Sequence, residues 1–208
     1  MNLELNPPRH SAQVNNFGPT PSQTVGPYFA YGLTAQQYGY DFTQVFTSTI
    51  AESFAQGQHI RIEGQVFDGD GKAIPDAIVE FTQADSEGKY PADRAAAQAQ
   101  GFYATGRCGT GTDALNRYHF QTILPGAQSQ GQAPHIHVCI TMRGLLLHAQ
   151  TRLYFAGHSA NAQDPVLQAL PPERRASLLA QETMPGVWRF DVHMQSHATQ
   201  GETVFFEV

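Results

Sequence analysis

From residue 59 onward the chain falls into short runs in which apolar residues recur at every second position, and this period decides its fold class. In HIRIEGQVFD (59–68), Ile60, Ile62 and Val66 lie on one face of an extended strand, and Arg61, Glu63 and Gln65 on the other. DGDGK (68–72) follows as a turn, and AIVEFTQAD (77–85) alternates again. YHFQTIL (118–124), HIHVCITM (135–142), TRLYFAG (151–157), VWRFDVHM (187–194) and ETVFFEV (202–208) extend the series, with Gly, Asp and Pro at the turns. Short strands spaced in this way predict an all-β domain, an antiparallel β-sandwich.

Three segments break the alternation. DPVLQALPPERRASLLAQ (164–181) has Asp164 before Pro165, and Leu170 before Pro171 and Pro172. Both read as the approach to a helix with proline in its first turn, so one or two short helices are inserted before the last hairpin. AAAQAQG (95–101) reads as a loop or one helical turn. TPSQTVGPYFAYGL (20–33) is dense in Pro, Gly and aromatics and reads as neither helix nor regular strand. Such a segment lies fixed against its own domain or a partner chain. Residues 1–19 are polar, carry Pro7, Pro8 and Pro19, and read as an extended N-terminal arm, which leaves 20–208 as one domain.

The formal net charge of -6 gives no electrostatic argument for nucleic acid or an anionic membrane. No apolar run approaches the roughly 20 residues needed to span a bilayer. MNLELNPPRH (1–10) lacks the basic flank and apolar core of a signal peptide, so the cytoplasm is the expected compartment. Cys108 and Cys139 are too few for a disulfide framework and read as two reduced thiols.

In QAPHIHV (132–138), His135 and His137 are two apart, which puts both imidazoles on one face of a strand. Residue types alone leave three readings open: a metal site, a hydrogen-bonded pair in a polar cavity, or a non-metal acid/base site. A cupin site would need an acid four after the second histidine, where Thr141 stands, and a glycine six before the first, where Ser129 stands. A mononuclear metal also wants three or four protein ligands.

The order of neighbouring motifs adds to this. TPSQTVGPY (20–28), EGQVFDGDGK (63–72), the QAD-x-x-G-x-Y step ending at Tyr90, LPG (124–126) before PHIH, TRLYF (151–155) followed by a helical insertion, and a terminal GETVFF (201–206) occur in one series. In this the chain resembles the intradiol ring-cleavage dioxygenases over residues 20–208. The resemblance implies a β-sandwich and a reaction in which O2 opens the ring of a small aromatic diol acid between its hydroxyls. The branch it most resembles pairs two homologous chains, alpha and beta. There the beta chain holds a mononuclear Fe(III) through two tyrosines and two histidines.

By that resemblance the first tyrosine falls on Tyr90 and the histidines on His135 and His137. The second tyrosine position is Ala127, and the position of an arginine that assists the beta-chain reaction is Gln132. An alanine cannot ligate iron, so Tyr90, His135 and His137 are expected to form a vestigial pocket. The Fe(III) of the assembled enzyme is then expected in a homologous beta-chain partner. The resemblance also implies that the alpha chain lines the partner's substrate cleft, here with Thr24, Gly26, Pro27 and Tyr28. Arg143, in ITMRGLLLH (140–148), falls near the substrate carboxylate, which a guanidinium meets through two N–H donors. Two other readings stand beside this one. One is a self-sufficient dioxygenase using Tyr90, His135 and His137 with a further ligand; the other is a non-enzymatic β-sandwich binding module. Arg107 is expected in a glycine-rich loop, and Arg152, Arg174 and Arg175 at the surface or in structural ion pairs.

Overall fold

The period-2 runs form strands with the faces their pattern assigns. A computed structural model describes residues 21–26, 28–197 and 201–207, so the expected arm 1–19 lies outside it. The strands are β1 (His59–Phe67), β2 (Ile78–Thr82), β3 (Thr105–Gly109), β4 (Arg117–Ile123), β5 (His135–Thr141), β6 (Ala149–Phe155), β7 (Leu179–Met184), β8 (Val187–Arg189) and β9 (Val192–His193). The helices are α1 (Phe29–Leu33), α2 (Arg94–Gln100), α3 (Pro165–Ala169) and α4 (Pro172–Arg175). In β1 the alternation is complete: Ile60, Ile62 and Val66 are buried while Arg61, Glu63 and Gln65 are half-buried.

Hydrogen-bonded neighbours run β3-β2-β5-β6-β7-β8-β1-β4, with β9 beside β1. Most pairings are antiparallel, but β6–β7, β1–β8 and β1–β9 are parallel. The path folds over on itself. Phe81 of β2 stacks on Phe120 of β4 with ring centroids 4.1 Å apart, although these strands are far apart in the hydrogen-bonded order. Phe155 of β6 meets Trp188 of β8 edge-on at 5.0 Å. Two apolar faces therefore close on one core, which includes Ile62, Val79, Phe81, Phe120, Ile136 and Leu153. The seam is β7, whose Leu179 and Ala180 pair with β6 while Gln181 to Met184 pair with β8.

Several local expectations change. TGRCG, expected as part of a loop, is β3, because its backbone pairs along the whole of β2. VWRFDVHM divides into β8 and β9, where Phe190 N–H donates to Glu63 O and Asp191 Oδ1 accepts from Gln65 N. ETVFFEV is not a regular strand; it runs past β6 and β9 with single bonds such as Phe206 N–H to Gln150 O. FAYGL within 20–33 is the helix α1. AAAQAQG belongs to α2, whose Asp93 side chain caps Ala96 N and whose C-cap Gly101 has φ +65°. Cys108 and Cys139 are both free thiols. Among the described residues no helix is long and apolar enough to cross a membrane.

The insertion is organised by one carboxylate. Asp164 is fully buried. Its Oδ1 accepts from Val166 N, Leu167 N and the Tyr154 hydroxyl, and its Oδ2 accepts from Ala133 N at 2.9 Å. The expected helix cap is thus also the tie that joins α3 to β6 and to the residues entering β5. Removing it strands several buried donors, each worth roughly 1–3 kcal/mol. Asp164→Ala is therefore expected to lower unfolding free energy by about 3 kcal/mol or more in denaturant titrations, with Asp164→Asn intermediate.

Candidate functional site

His135 and His137 share the outer face of β5, since Ile136, Val138 and Ile140 point into the core. The two rings are 4.9 Å apart and nearly perpendicular. His135 Nδ1–H donates to Ala133 O at 2.9 Å, which fixes the ring and leaves Nε2 as the unprotonated nitrogen. Ala133 is itself held by Asp164, so the buried carboxylate sets His135 through one backbone step.

The β5–β6 register sets Tyr154 opposite His135 and Arg152 opposite His137. Arg152 was expected at the surface or in an ion pair. It makes no ion pair among the described residues; it reaches the Tyr154 hydroxyl at 3.4 Å and lies over the Phe206 ring. Burial first, then the neighbouring His135 and the Arg152 cation, depress His137 to about 4. Burial likewise lowers His135 and raises Tyr154, the latter to about 12. Arg174 and Arg175 also depart from expectation, bonding the backbone carbonyls of Glu202, Leu170 and Gln168. Arg107 sits on β3 and pairs with Glu80 at 2.6 Å under the Phe46 ring.

Tyr90 is carried by a tight turn. Asp85 Oδ1 accepts from Glu87 N and Lys89 N, and Gly88 takes φ +83°. Gly126 N–H donates to Asp85 O, and a Cβ on Gly88 would run into the Ala127 carbonyl. The turn therefore packs against the loop that carries Gly126 and Ala127. Tyr90 is 44% exposed and lines two cavities, of about 500 and 570 Å³. His137 lines a third, of about 280 Å³, with Glu80, Thr82, Cys139 and Gln150. Burial raises the Tyr90 phenol above its ordinary range, and the Gln128 amide opposes that rise.

This donor set does not fit a ferric ion. One phenol and two imidazoles supply a single anionic ligand, and the cavities of about 500 and 570 Å³ that Tyr90 lines are different from the cavity of about 280 Å³ that His137 lines. The Arg152 guanidinium beside both rings repels a metal cation.

The other predicted residues lie at the far end of β5. Gly144 N–H donates to Thr24 Oγ1 at 2.8 Å, which joins the 21–26 segment to the turn that carries Arg143. Gly26 O accepts from Phe29 N at the entry to α1. Tyr28 is 76% exposed and lies 5.9 Å from Tyr31, which meets Tyr38 edge-on at 4.5 Å. Pro27 lies outside the described residues. Arg143 Nε donates to Asp76 Oδ2. Thr24 and Arg143 are thus brought together, at the opposite end of β5 from His135. Asp76 and Arg152 carry no local signal in the sequence, because each meets its partner only through strand register or a long-range turn contact.

The fold and this arrangement of motifs define a class: the family model described as Dioxygenase matches residues 26–196, and the chain belongs to that family. It is 54% identical to the protocatechuate 3,4-dioxygenase alpha chain of Burkholderia cepacia, over 91% of this chain and 97% of that one. The Pseudomonas putida alpha chain is 37% identical over 90% of this chain and 96% of its own length. The Burkholderia cepacia beta chain is 35% identical, over 60% of this chain and 56% of that one. Among solved structures, the dioxygenase domain of a dioxygenase–carbohydrate-binding protein fusion from Streptomyces sp. SirexAA-E matches in fold, with a TM-score of 0.56 and 24% identity. That match covers 84% of this chain and 97% of the other.

The His137 shift has a signed consequence. Its folded pKa of about 4 lies below the ordinary 6.5, so within that window the unfolded chain binds a proton that the folded chain refuses. Stability therefore falls as pH drops from 6.5 toward 4. His137→Gln is expected to flatten this part of the acid limb in denaturation measured against pH, and NMR titration should place the His137 midpoint near 4.

Proposed function

We propose that this chain is the alpha subunit of a protocatechuate 3,4-dioxygenase. In this reading residues 20–208 form the intradiol dioxygenase-like domain and 1–19 an extended arm. The domain completes the substrate pocket of a homologous beta subunit, which holds the Fe(III). The assembled enzyme, working in the cytoplasm, cleaves protocatechuate with O2 to 3-carboxy-cis,cis-muconate. The iron supplies the activation of diol and O2 in the partner's site; this chain supplies shape, carboxylate recognition and assembly.

The observation that carries this reading is the joining of Thr24 to the Arg143 turn. It sets a cation beside the Pro- and Gly-rich segment expected to line the cleft. Pro21 and Pro27 restrict the backbone of that segment, so it can present fixed groups with little entropy left to lose. Thr24, Gly26, Pro27 and Tyr28 are assigned to the cleft, and the exposed Tyr28 ring is available to a partner or substrate. Arg143 is 54% exposed at its side chain, so its guanidinium is accessible to a benzoate. Tyr90, His135 and His137 are the remnant of a metal pocket, and Arg152 now occupies the neighbourhood a cation would need.

Two measurements test this. Expressed alone, the chain should carry no stoichiometric iron and lack the burgundy tyrosinate-to-iron absorption; co-expressed with a beta chain it should enter an iron-bearing, active complex. A full complement of iron in the isolated chain would support the self-sufficient alternative instead. In the complex, Arg143→Ala should raise KM for protocatechuate by about tenfold or more, the scale of a lost charged hydrogen bond. An unchanged KM with intact assembly removes Arg143 from the site.

A further inference from the structure

The Arg143 guanidinium is gripped on one edge only. Its Nε donates to Asp76 Oδ2, and among the described residues neither terminal nitrogen has a hydrogen-bond partner. A guanidinium meets a carboxylate most favourably through two parallel N–H donors. Asp76 takes the side edge through Nε and leaves the terminal pair of nitrogens open for such a contact.

The two partners differ in how firmly they are held. The Asp76 side chain is 20% exposed and the Arg143 side chain 54%. Backbone on both sides of Asp76 is clamped by Thr110, which is fully buried. Thr110 Oγ1 donates to Ile74 O at 2.7 Å and accepts from Ala77 N at 3.1 Å, while Thr110 N donates to Ala77 O. Pro75 further limits the backbone just before Asp76. Arg143, by contrast, projects from a tight turn in which Gly144 has φ +92°. Asp76 is the fixed anchor, and Arg143 the long, exposed side chain that needs one.

An exposed ion pair of this kind contributes little to folding stability, because water screens it and two side chains lose freedom. Its effect is directional. An Arg side chain free in solvent loses rotamer freedom whenever it binds a ligand. Held at Nε, it has lost part of that freedom before the ligand arrives.

We propose that Asp76 is a positioning residue for Arg143: it holds the guanidinium by its Nε edge so that the terminal edge faces the carboxylate of the aromatic diol acid. This rests on the reading of Arg143 as the carboxylate-binding residue. Asp76 itself touches no substrate. The Tyr38 hydroxyl and the Pro75 carbonyl, just before Asp76, both flank Gly111, and Tyr38 meets Tyr31 edge-on.

The test uses the assembled alpha–beta complex with Asp76→Asn, Asp76→Ser, Arg143→Ala and the double variant Asp76→Asn/Arg143→Ala. KM and kcat are measured for protocatechuate, and catechol, which lacks the carboxylate, is titrated as a competitor to give its inhibition constant. Both Asp76 variants should raise KM for protocatechuate by about tenfold, well beyond any fall in kcat. They should leave the catechol constant unchanged, and Asp76→Asn should add nothing in the Arg143→Ala background. If Arg143→Ala raises KM while both Asp76 variants do not, the anchor is refuted and the role of Arg143 stands. If Arg143→Ala has no effect, the carboxylate reading falls and the anchor with it. An equal loss of affinity for catechol and protocatechuate in the Asp76 variants would show a merely structural role and overturn the proposal.

Discussion

The buried carboxylate of Asp164 is the interaction on which most of the outer face of the sheet depends. A carboxylate taken out of water needs donors for its oxygens, and here four groups from three parts of the chain supply them. The helix that follows, the tyrosine on β6 and the backbone entering β5 are held in mutual register by one side chain. His135 inherits its orientation from this arrangement through Ala133. The His135 ring is thus held by the backbone whether or not a metal sits beside it.

The neighbourhood of the two histidines also carries a cation. Arg152 stands on the neighbouring strand, opposite His137. Burial first, and the Arg152 charge with it, lower the pKa of both imidazoles. At the other end of β5 lie the Gly144–Thr24 hydrogen bond and the Arg143–Asp76 pair. There a threonine, an arginine and an aspartate from distant parts of the sequence meet.

What was legible in the sequence follows the range of each interaction. Strands β1, β2, β4, β5 and β6 announce themselves because each alternates in place, and Ile62 or Val138 reports its own burial by its neighbours two residues away. The cap at Asp164 was readable as a cap because Pro165 follows it; its contacts to Ala133 and Tyr154 were not, since nothing local encodes them. Strand β7 was hidden because Gln181 to Met184 are exposed and follow a helical stretch, so no alternation marks them. Strand β3 was hidden by its glycines, which pack closely instead of contributing side chains; a Cβ on Gly106 would meet Ile50. At the site, Ala127 and Gln132 were informative only against the pattern of a known family. Asp76 sits in an ordinary-looking turn and finds Arg143 from 67 positions away.

The strand β7 is hydrogen-bonded to β6 along its first half and to β8 along its second. A sandwich whose two sheets share a strand is closer to a flattened barrel with one welded edge than to two plates pressed together. Such a body resists sliding of one sheet over the other, because the shared strand would have to break pairing on one side. The 159–178 insertion is tied back to this frame through the Asp164 bonds to Tyr154 and Ala133.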